Sequence, residues 1–302
     1  MNNNTSDFGG PDPERERVLP EPFSSKIDVD LFAMSHQGYV RSKNEDHFLV
    51  VRVGRNLETV FSNLVENSPE DRFEETAYGM IVADGVGGEA AGEVASREAI
   101  FTLLNLALRT PDWQFRWRPK EKNTVMWRMQ DRFRRINAAL LELATAHAVL
   151  RGMCTTMTAA LSHGKDLIIG HIGDSRAYLL RDGKLKRLTR GHTVAESLFG
   201  EGVSAEGDQL LEELGNVLTQ ALGANESDCR PDVQDYVLEH GDQLLLCTDG
   251  LTGMVDGETI EAVLNKETAA GAACRTLVEL ALNNGGRDNV TAIVARYRIP
   301  QT

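Results

Sequence analysis

Four aspartates in this 302-residue sequence share a local context: an apolar, strand-like run ends, Asp follows, and a small or turn-forming residue stands beside it. They are Asp84 in Met80-Ile81-Val82-Ala83-Asp84-Gly85, Asp174 in Ile169-Gly170-His171-Ile172-Gly173-Asp174, Asp249 in Leu245-Leu246-Cys247-Thr248-Asp249-Gly250, and Asp288 in Arg287-Asp288-Asn289-Val290. A fifth acidic cluster, Asn44-Glu45-Asp46, instead opens the run His47-Phe48-Leu49-Val50. In an antiparallel sheet one strand's beginning lies beside its neighbour's end, so all five positions can converge on one edge. Carboxylates brought together in a partly dry site repel one another by several kcal/mol per close pair at an effective dielectric of about 20. Something positive must compensate. An all-oxygen donor set with backbone carbonyls and water suits hard ions such as Mg²⁺ or Mn²⁺ rather than zinc. Taken singly, each Asp reads more readily as a turn residue; the joint pattern carries the expectation of a metal site.

The same stretch offers a rival. Gly85-Val86-Gly87-Gly88-Glu89-Ala90 fits G-x-G-x-x-A after a strand and before a helix, the spacing of a dinucleotide-binding turn. A dinucleotide fold also needs a second strand ending in an acidic residue about 20 positions on. That region is Arg109-Thr110-Pro111-Asp112-Trp113, with no strand before it, and Asp84 sits where pyrophosphate would approach. Both counts weigh against the rival reading.

These residues must be positioned by short β-type runs at 30–36, 46–53, 78–83, 155–163, 166–172, 175–181, 184–188, 231–238, 243–248 and 289–297. Asp182-Gly183 between two of them is a strong hairpin signal and argues for antiparallel pairing there. Helical periodicity runs over 89–109, 123–149, 257–265 and 267–283. Strands and helices come in blocks rather than strict alternation, which fits an α+β protein whose helices cover sheets. Residues 1–27 carry Asn, Pro, Gly and charge with few apolar side chains and read as a flexible tail. Residues 28–302 read as a single domain, with an irregular surface flap at about 192–216.

Composition narrows the classes further. A formal net charge of -13 argues against a surface that tracks nucleic-acid phosphates. Cys154, Cys229, Cys247 and Cys274 are widely spaced without a C-x-x-C pair, so they read as reduced, small core residues. No stretch approaches the roughly 18 apolar residues of a membrane span, and the first residues lack the pattern of a secretory signal. The expectation is a cytoplasmic, monomeric protein with no membrane or nucleic-acid partner.

Seven segments then come in one order: Arg41-Ser42-Lys43-Asn44-Glu45-Asp46, Ala83-Asp84-Gly85-Val86-Gly87-Gly88, Cys154-Thr155-Thr156-Met157-Thr158-Ala159-Ala160, Gly173-Asp174-Ser175-Arg176, Leu188-Thr189-Arg190-Gly191-His192-Thr193, Thr248-Asp249-Gly250-Leu251 and Gly286-Arg287-Asp288-Asn289-Val290-Thr291. Together they resemble the PPM family, the metal-dependent Ser/Thr protein phosphatases of type 2C, in its bacterial form. The resemblance spans roughly 30–298.

It implies two antiparallel β-sheets packed as a sandwich with helices on both outer faces (α-β-β-α), and metals at one end. It further implies that Asp84 bridges two Mn²⁺ or Mg²⁺ ions, that Asp249 and Asp288 ligate the first, and that the Gly85 carbonyl ligates the second. Glu45 and Asp46 would hold the second ion directly or through water, and Asp174 could help hold a third, weaker one. Arg41 would grip the phosphate through its planar fork, a geometry that Lys43 cannot reproduce. The implied activity is hydrolysis of phosphoserine and phosphothreonine in proteins, the substrates of a Ser/Thr protein kinase, by metal-activated water. A pseudophosphatase and a hydrolase of small phosphoesters are the alternatives.

Two positions depart from the family pattern. Val86 stands where some members carry a histidine proposed as general acid, and Gly253 stands where a further carboxylate supports the third metal. His192 and His47 are candidates to help with the proton, though both read more readily as structural histidines. The insertions at 54–77 and 110–135, with the run Trp113-Gln114-Phe115-Arg116-Trp117-Arg118, have no catalytic reading.

Overall fold

The apolar runs are buried on both faces, which is why they read as near-continuous rather than alternating. The computed structural model describes residues 27–58, 60–61, 72–87, 91–109, 119–200, 209–225 and 229–300. In chain order the elements are β1 (Asp28–His36), β2 (Asp46–Glu58), β3 (Arg72–Val86), α1 (Ala91–Arg109), α2 (Pro119–Ala146), a 3₁₀ turn (Ala148–Leu150), β4 (Cys154–Thr155), β5 (Met157–His163), β6 (Asp166–Ile172), β7 (Arg176–Arg181) and β8 (Lys184–Arg187). They continue as α3 (Val194–Phe199), α4 (Gln209–Gly215), β9 (Asp232–Val237), β10 (Gln243–Cys247), α5 (Asp249–Thr252), α6 (Gly257–Lys266), α7 (Ala270–Asn283) and β11 (Val290–Arg298).

Two antiparallel sheets result. One has the order β1-β11-β10-β7-β8; the other has the order β2-β3-β5-β6-β9, with β4 paired to the end of β3. Successive side chains on a strand point to opposite faces. Met80 and Val82 therefore meet Leu179, Leu244, Leu246, Ile293 and Tyr297 of the other sheet in a central core. Ile81 and Ala83 point the other way, onto Ala95, Ala99, Phe133 and Ile136 of α1 and α2. On the far side Leu245, Cys247 and Val294 pack under Ile260, Cys274, Leu277 and Val278 of α6 and α7. Three apolar layers between four layers of secondary structure make the expected α-β-β-α sandwich.

The Asp182-Gly183 hairpin forms as expected: φ is 50° at Asp182 and 77° at Gly183, the left-handed pair of a type I′ turn, with Arg181 opposite Lys184. The second long helix starts earlier than its periodicity indicates, at Pro119, a residue preorganised for a first helical position. The run expected at 155–163 breaks at Thr156, where β4 leaves the ladder of β5. The base of the flap is not surface: Thr193, Ala195 and Glu196 are buried, and the Thr193 hydroxyl caps α3 by accepting from the Glu196 amide at 3.2 Å.

Cys247 and Cys274 are core residues as expected, whereas Cys154 and Cys229 are half-buried; all four are free thiols. The expected tail (apart from residue 27), residues 201–208 of the flap, residues 59 and 62–71 of the first insertion, and the Trp113–Arg118 run lie outside the described residues. Among the described residues no helix is long and apolar enough to cross a membrane.

Candidate active site

Both sheets deliver acidic residues to the same end of the sandwich. In the β2–β3 ladder Asp46 stands directly opposite Asp84. Asp174 lies in the link from β6 to β7, which crosses from one sheet to the other, and Asp249 is the first residue of α5 after β10. Asp288 differs from the expected context. It follows α7 and precedes β11, so no strand ends before it. Asp84 differs too, because β3 continues past it to Val86 through pairing with β4.

Seven of the eight residues singled out from sequence line one cleft of about 400 Å³: Arg41, Glu45, Asp84, Gly85, Asp174, Asp249 and Asp288. Lys43, Val86 and Asn289 are among its other walls. Five carboxylates thus face two cations across one space. The eighth, Asp46, is buried behind Asp84 and outside the lining. Its Oδ2 accepts from Thr248 Oγ1 at 2.8 Å and Thr291 Oγ1 at 2.7 Å, while Oδ1 has no partner. As arranged, Asp46 acts on the cleft through Asp84 rather than by reaching into it.

Close backbone approaches bring these pieces together. A Cβ on Gly85 would overlap the Gly92 carbonyl oxygen at the start of α1, and one on Gly92 would press on the Glu45 carboxylate. A Cβ on Gly250 would overlap the Asn289 carbonyl. The glycines are fixed by contact distance, not by left-handed backbone.

The electrostatics are those of like charges held in a dry site. Burial pushes Asp46 up to about 7; the bonds from Thr291 and Thr248 oppose this, and the charges of Asp249 and Asp288 add to it. Burial and Asp249 push Asp174 up to about 7. Asp84 is raised well above the usual carboxylate range by burial and by Asp46, Asp249 and Asp174, and it shares a hydrogen bond with Asp249. Asp249 is raised by burial, partly offset by that bond, and its Oδ1 has no partner. Burial also raises Glu45. Asp288 is held by Arg41, whose Nη2 donates to Oδ2 at 2.6 Å.

The donor set fits hard divalent cations. It is all oxygen, the buried Asp249 Oδ1 lacks a partner, and excess negative charge is otherwise relieved by holding protons. Among the described residues no three His, Cys, Asp or Glu side chains are drawn together tightly enough, as arranged, to hold an ion.

His192 is not available as a general acid. Its Nδ1 accepts from the Gly173 amide at 3.1 Å and its Nε2 meets Asp232 Oδ2 at 3.2 Å. His47 is tied to Ser96 Oγ at 2.8 Å. Both are structural, and among the described residues lining the cleft there is no histidine.

Thr248, Asn289 and Thr291, which carry no role in the sequence motifs, hold the carboxylates and their loops. Hydroxyl or amide side chains beside aspartates at the edges of apolar runs were the available signal.

An α-β-β-α sandwich with an all-oxygen carboxylate cleft at one end of its sheets defines a class of folds with a site suited to hard cations. The model of the protein phosphatase 2C family matches residues 70–283, and the chain belongs to that family. It is 37% identical over 232 residues to the serine/threonine protein phosphatase PstP of Mycobacterium tuberculosis, covering 77% of this chain and 43% of that protein. The chain thus spans less than half the length of that relative. It is 31% identical to the serine/threonine phosphatase stp of Listeria welshimeri, covering 74% of this chain and 85% of that protein. The crystal structure of a PstP catalytic domain in complex with two manganese ions superposes with a TM-score of 0.68 at 32% identity, covering 90% of this chain and 99% of that one.

Proposed function

We propose that this protein is a metal-dependent phosphatase that hydrolyses phosphoserine and phosphothreonine in proteins, opposing a Ser/Thr protein kinase. The observation that carries this is the cleft itself, in which five carboxylates from both sheets surround a space faced by the Arg41 guanidinium. Asp84, Asp249, Asp288, Glu45 and the Gly85 carbonyl would hold two Mn²⁺ or Mg²⁺ ions, with Asp174 available to a third. Bound there, such ions supply Lewis-acid stabilisation of phosphoryl oxygens and a water nucleophile at neutral pH.

The chain's own residues do the rest. Asp84 and Asp249, pressed together by β3 and α5, provide the negative charge that concentrates cations. Asp46, fixed by Thr248 and Thr291, keeps that charge in place from behind. Arg41 lies on an exposed loop and offers its fork to two oxygens of an incoming phosphate, exchanging Asp288 for the ester. Arg41, Ser42 and Lys43 on the cleft wall are exposed, so a phosphorylated side chain can approach there while its polypeptide stays on the surface.

Hydrolysis of an aryl phosphate with Mn²⁺, with EDTA and with Asp249→Asn tests this reading. Activity is expected only for the wild type with metal, and activity surviving the chelator and the substitution would overturn the metal site. Phosphothreonine peptides should be better substrates than metabolite phosphates. The reverse order would make the protein a small-phosphoester hydrolase, and no turnover of either would make it a binding module.

A further inference from the structure

Arg41 and Glu45 come from one loop, 37–45, that has no regular secondary structure of its own. A loop that presents a phosphate ligand and a carboxylate to the same cleft needs its backbone fixed, or each productive arrangement carries an ordering penalty. The side chain of Asn289, 5% exposed, meets that need from across the cleft wall. Its Oδ1 accepts from the Glu45 amide at 2.8 Å. Its Nδ2 donates to the Gln37 carbonyl at 2.7 Å and to the Lys43 carbonyl at 2.8 Å. One amide thus holds both ends of the loop, and both of its donors and its acceptor are used.

Neighbouring contacts close the strap. The Tyr39 amide donates to the Gly286 carbonyl at 2.8 Å, and Gln37 Nε2 donates to the Arg41 carbonyl at 2.7 Å. Gly38 has φ of +79°, and a Cβ there would overlap the Asp288 carbonyl oxygen. The loop therefore lies flat against 286–289, the segment that carries Asp288.

We infer that Asn289 is a positioning residue: it sets the 37–45 loop so that Arg41 and Glu45 face the cleft together, coupling the phosphate grip to the Asp288 segment. The catalytic consequence rests on the phosphatase reading; the structural coupling does not. Serine is too short to span the three partners and alanine has no polar atom, so Asn289→Ser and Asn289→Ala should behave alike. Asparagine's acceptor and two donors are all required.

The test is a double-substitution cycle with Arg41→Ala, read as KM and kcat on an aryl phosphate with Mn²⁺ and as inhibition by inorganic phosphate. Asn289→Ala is expected to raise KM and the phosphate inhibition constant about tenfold, a change that corresponds to about 1.4 kcal/mol. In the Arg41→Ala background, at saturating Mn²⁺ so that Glu45 is not limiting, it should raise them less than threefold further, because the phosphate grip it positions has already been removed. Full additivity, or a lowered kcat with unchanged KM and inhibition constant, would overturn the inference. If the wild type turns over no phosphoester, amide hydrogen exchange reads the clamp without catalysis. The Glu45 amide should then exchange at least tenfold faster in Asn289→Ala than in wild type, while amides of α7 keep their protection. Unchanged exchange at Glu45 would show that the clamp does not order the loop.

Discussion

Arg41 Nη2 donates to Asp288 Oδ2 at 2.6 Å across 247 positions of sequence, so the residue assigned to phosphate and a carboxylate assigned to metal neutralise one another. The pair uses one guanidinium nitrogen and one carboxylate oxygen, so a cation at Asp288 would compete with it. Phosphate binding and cation binding are therefore linked: a cation that takes Asp288 frees Arg41 for an anion.

Arg41→Ala consequently has two opposite effects. KM on an aryl phosphate should rise about tenfold and inhibition by inorganic phosphate should weaken by about the same factor, since a bidentate charge-assisted contact is lost. Mn²⁺ affinity should improve several-fold, because Asp288 no longer has an internal cation. Titration calorimetry with Mn²⁺ and steady-state kinetics check both; unimproved metal binding would mean that Asp288 is not a ligand.

Metal-free stability should fall as pH rises from 5 to 7.5. Asp46 and Asp174 are pushed up to about 7, and Asp84 and Asp249 are raised as well, in each case by burial first. Between about 4 and 7 the folded chain keeps protons that the unfolded chain has released, so their contribution is full below the ordinary carboxylate pKa and is lost as pH climbs through 7. His171 works the other way. Burial lowers it to about 3, so its contribution is full above its ordinary value near 6.5 and is lost as pH falls. His47 is lowered by burial in the same sense and Glu45 is raised, so five raised carboxyls stand against two lowered imidazoles and outweigh them. Thermal unfolding in EDTA should give a lower Tm at pH 7.5 than at pH 5, and millimolar Mg²⁺ should remove the difference. A metal-free Tm that rises over this range would contradict the buried-carboxyl account.

Thr248→Val and Thr291→Val should each destabilise the fold by about 1–3 kcal/mol, since each leaves the buried Asp46 carboxylate short of a donor. Each also loses a second bond, Thr248 Oγ1 the one it accepts from the Thr291 amide at 3.0 Å and Thr291 Oγ1 the one to Ser35 Oγ at 2.8 Å, so the two losses should be of similar size. Denaturant unfolding of both variants and of the double variant measures this. Additive losses would show that the two hydroxyls do not serve a common carboxylate.

Gly85→Ala should destabilise by about 1–3 kcal/mol although its backbone is not left-handed, because the added methyl meets the Gly92 carbonyl at the start of α1. Gly257→Ala, where a Cβ meets nothing within 4 Å, is the control and should be close to neutral. Equal stability of the two variants would show that α1 does not press on the metal strand.

Much of this was legible in the chain itself. Buried strands must be apolar on both faces, so runs such as 167–172 and 244–247 marked the strands of an α+β protein, the sandwich itself following only from the family resemblance, and Asp182-Gly183 announced its hairpin through local φ preference alone. The joint recurrence of Asp beside those runs marked Asp84, Asp174 and Asp249 as cleft residues, because antiparallel pairing returns strand ends to one edge.

Tertiary structure alone decided the rest. Register placed Asp46 opposite Asp84 and turned it away from the cleft, and one residue of slip would have reversed that face. The pairing of Arg41 with Asp288 and the three bonds of Asn289 join positions more than 240 residues apart. Local composition cannot encode such contacts, since the same Asn or Arg in a solvated loop would look identical. Residue type fixes which groups can carry charge or donate; only packing fixes which of them must face each other without water.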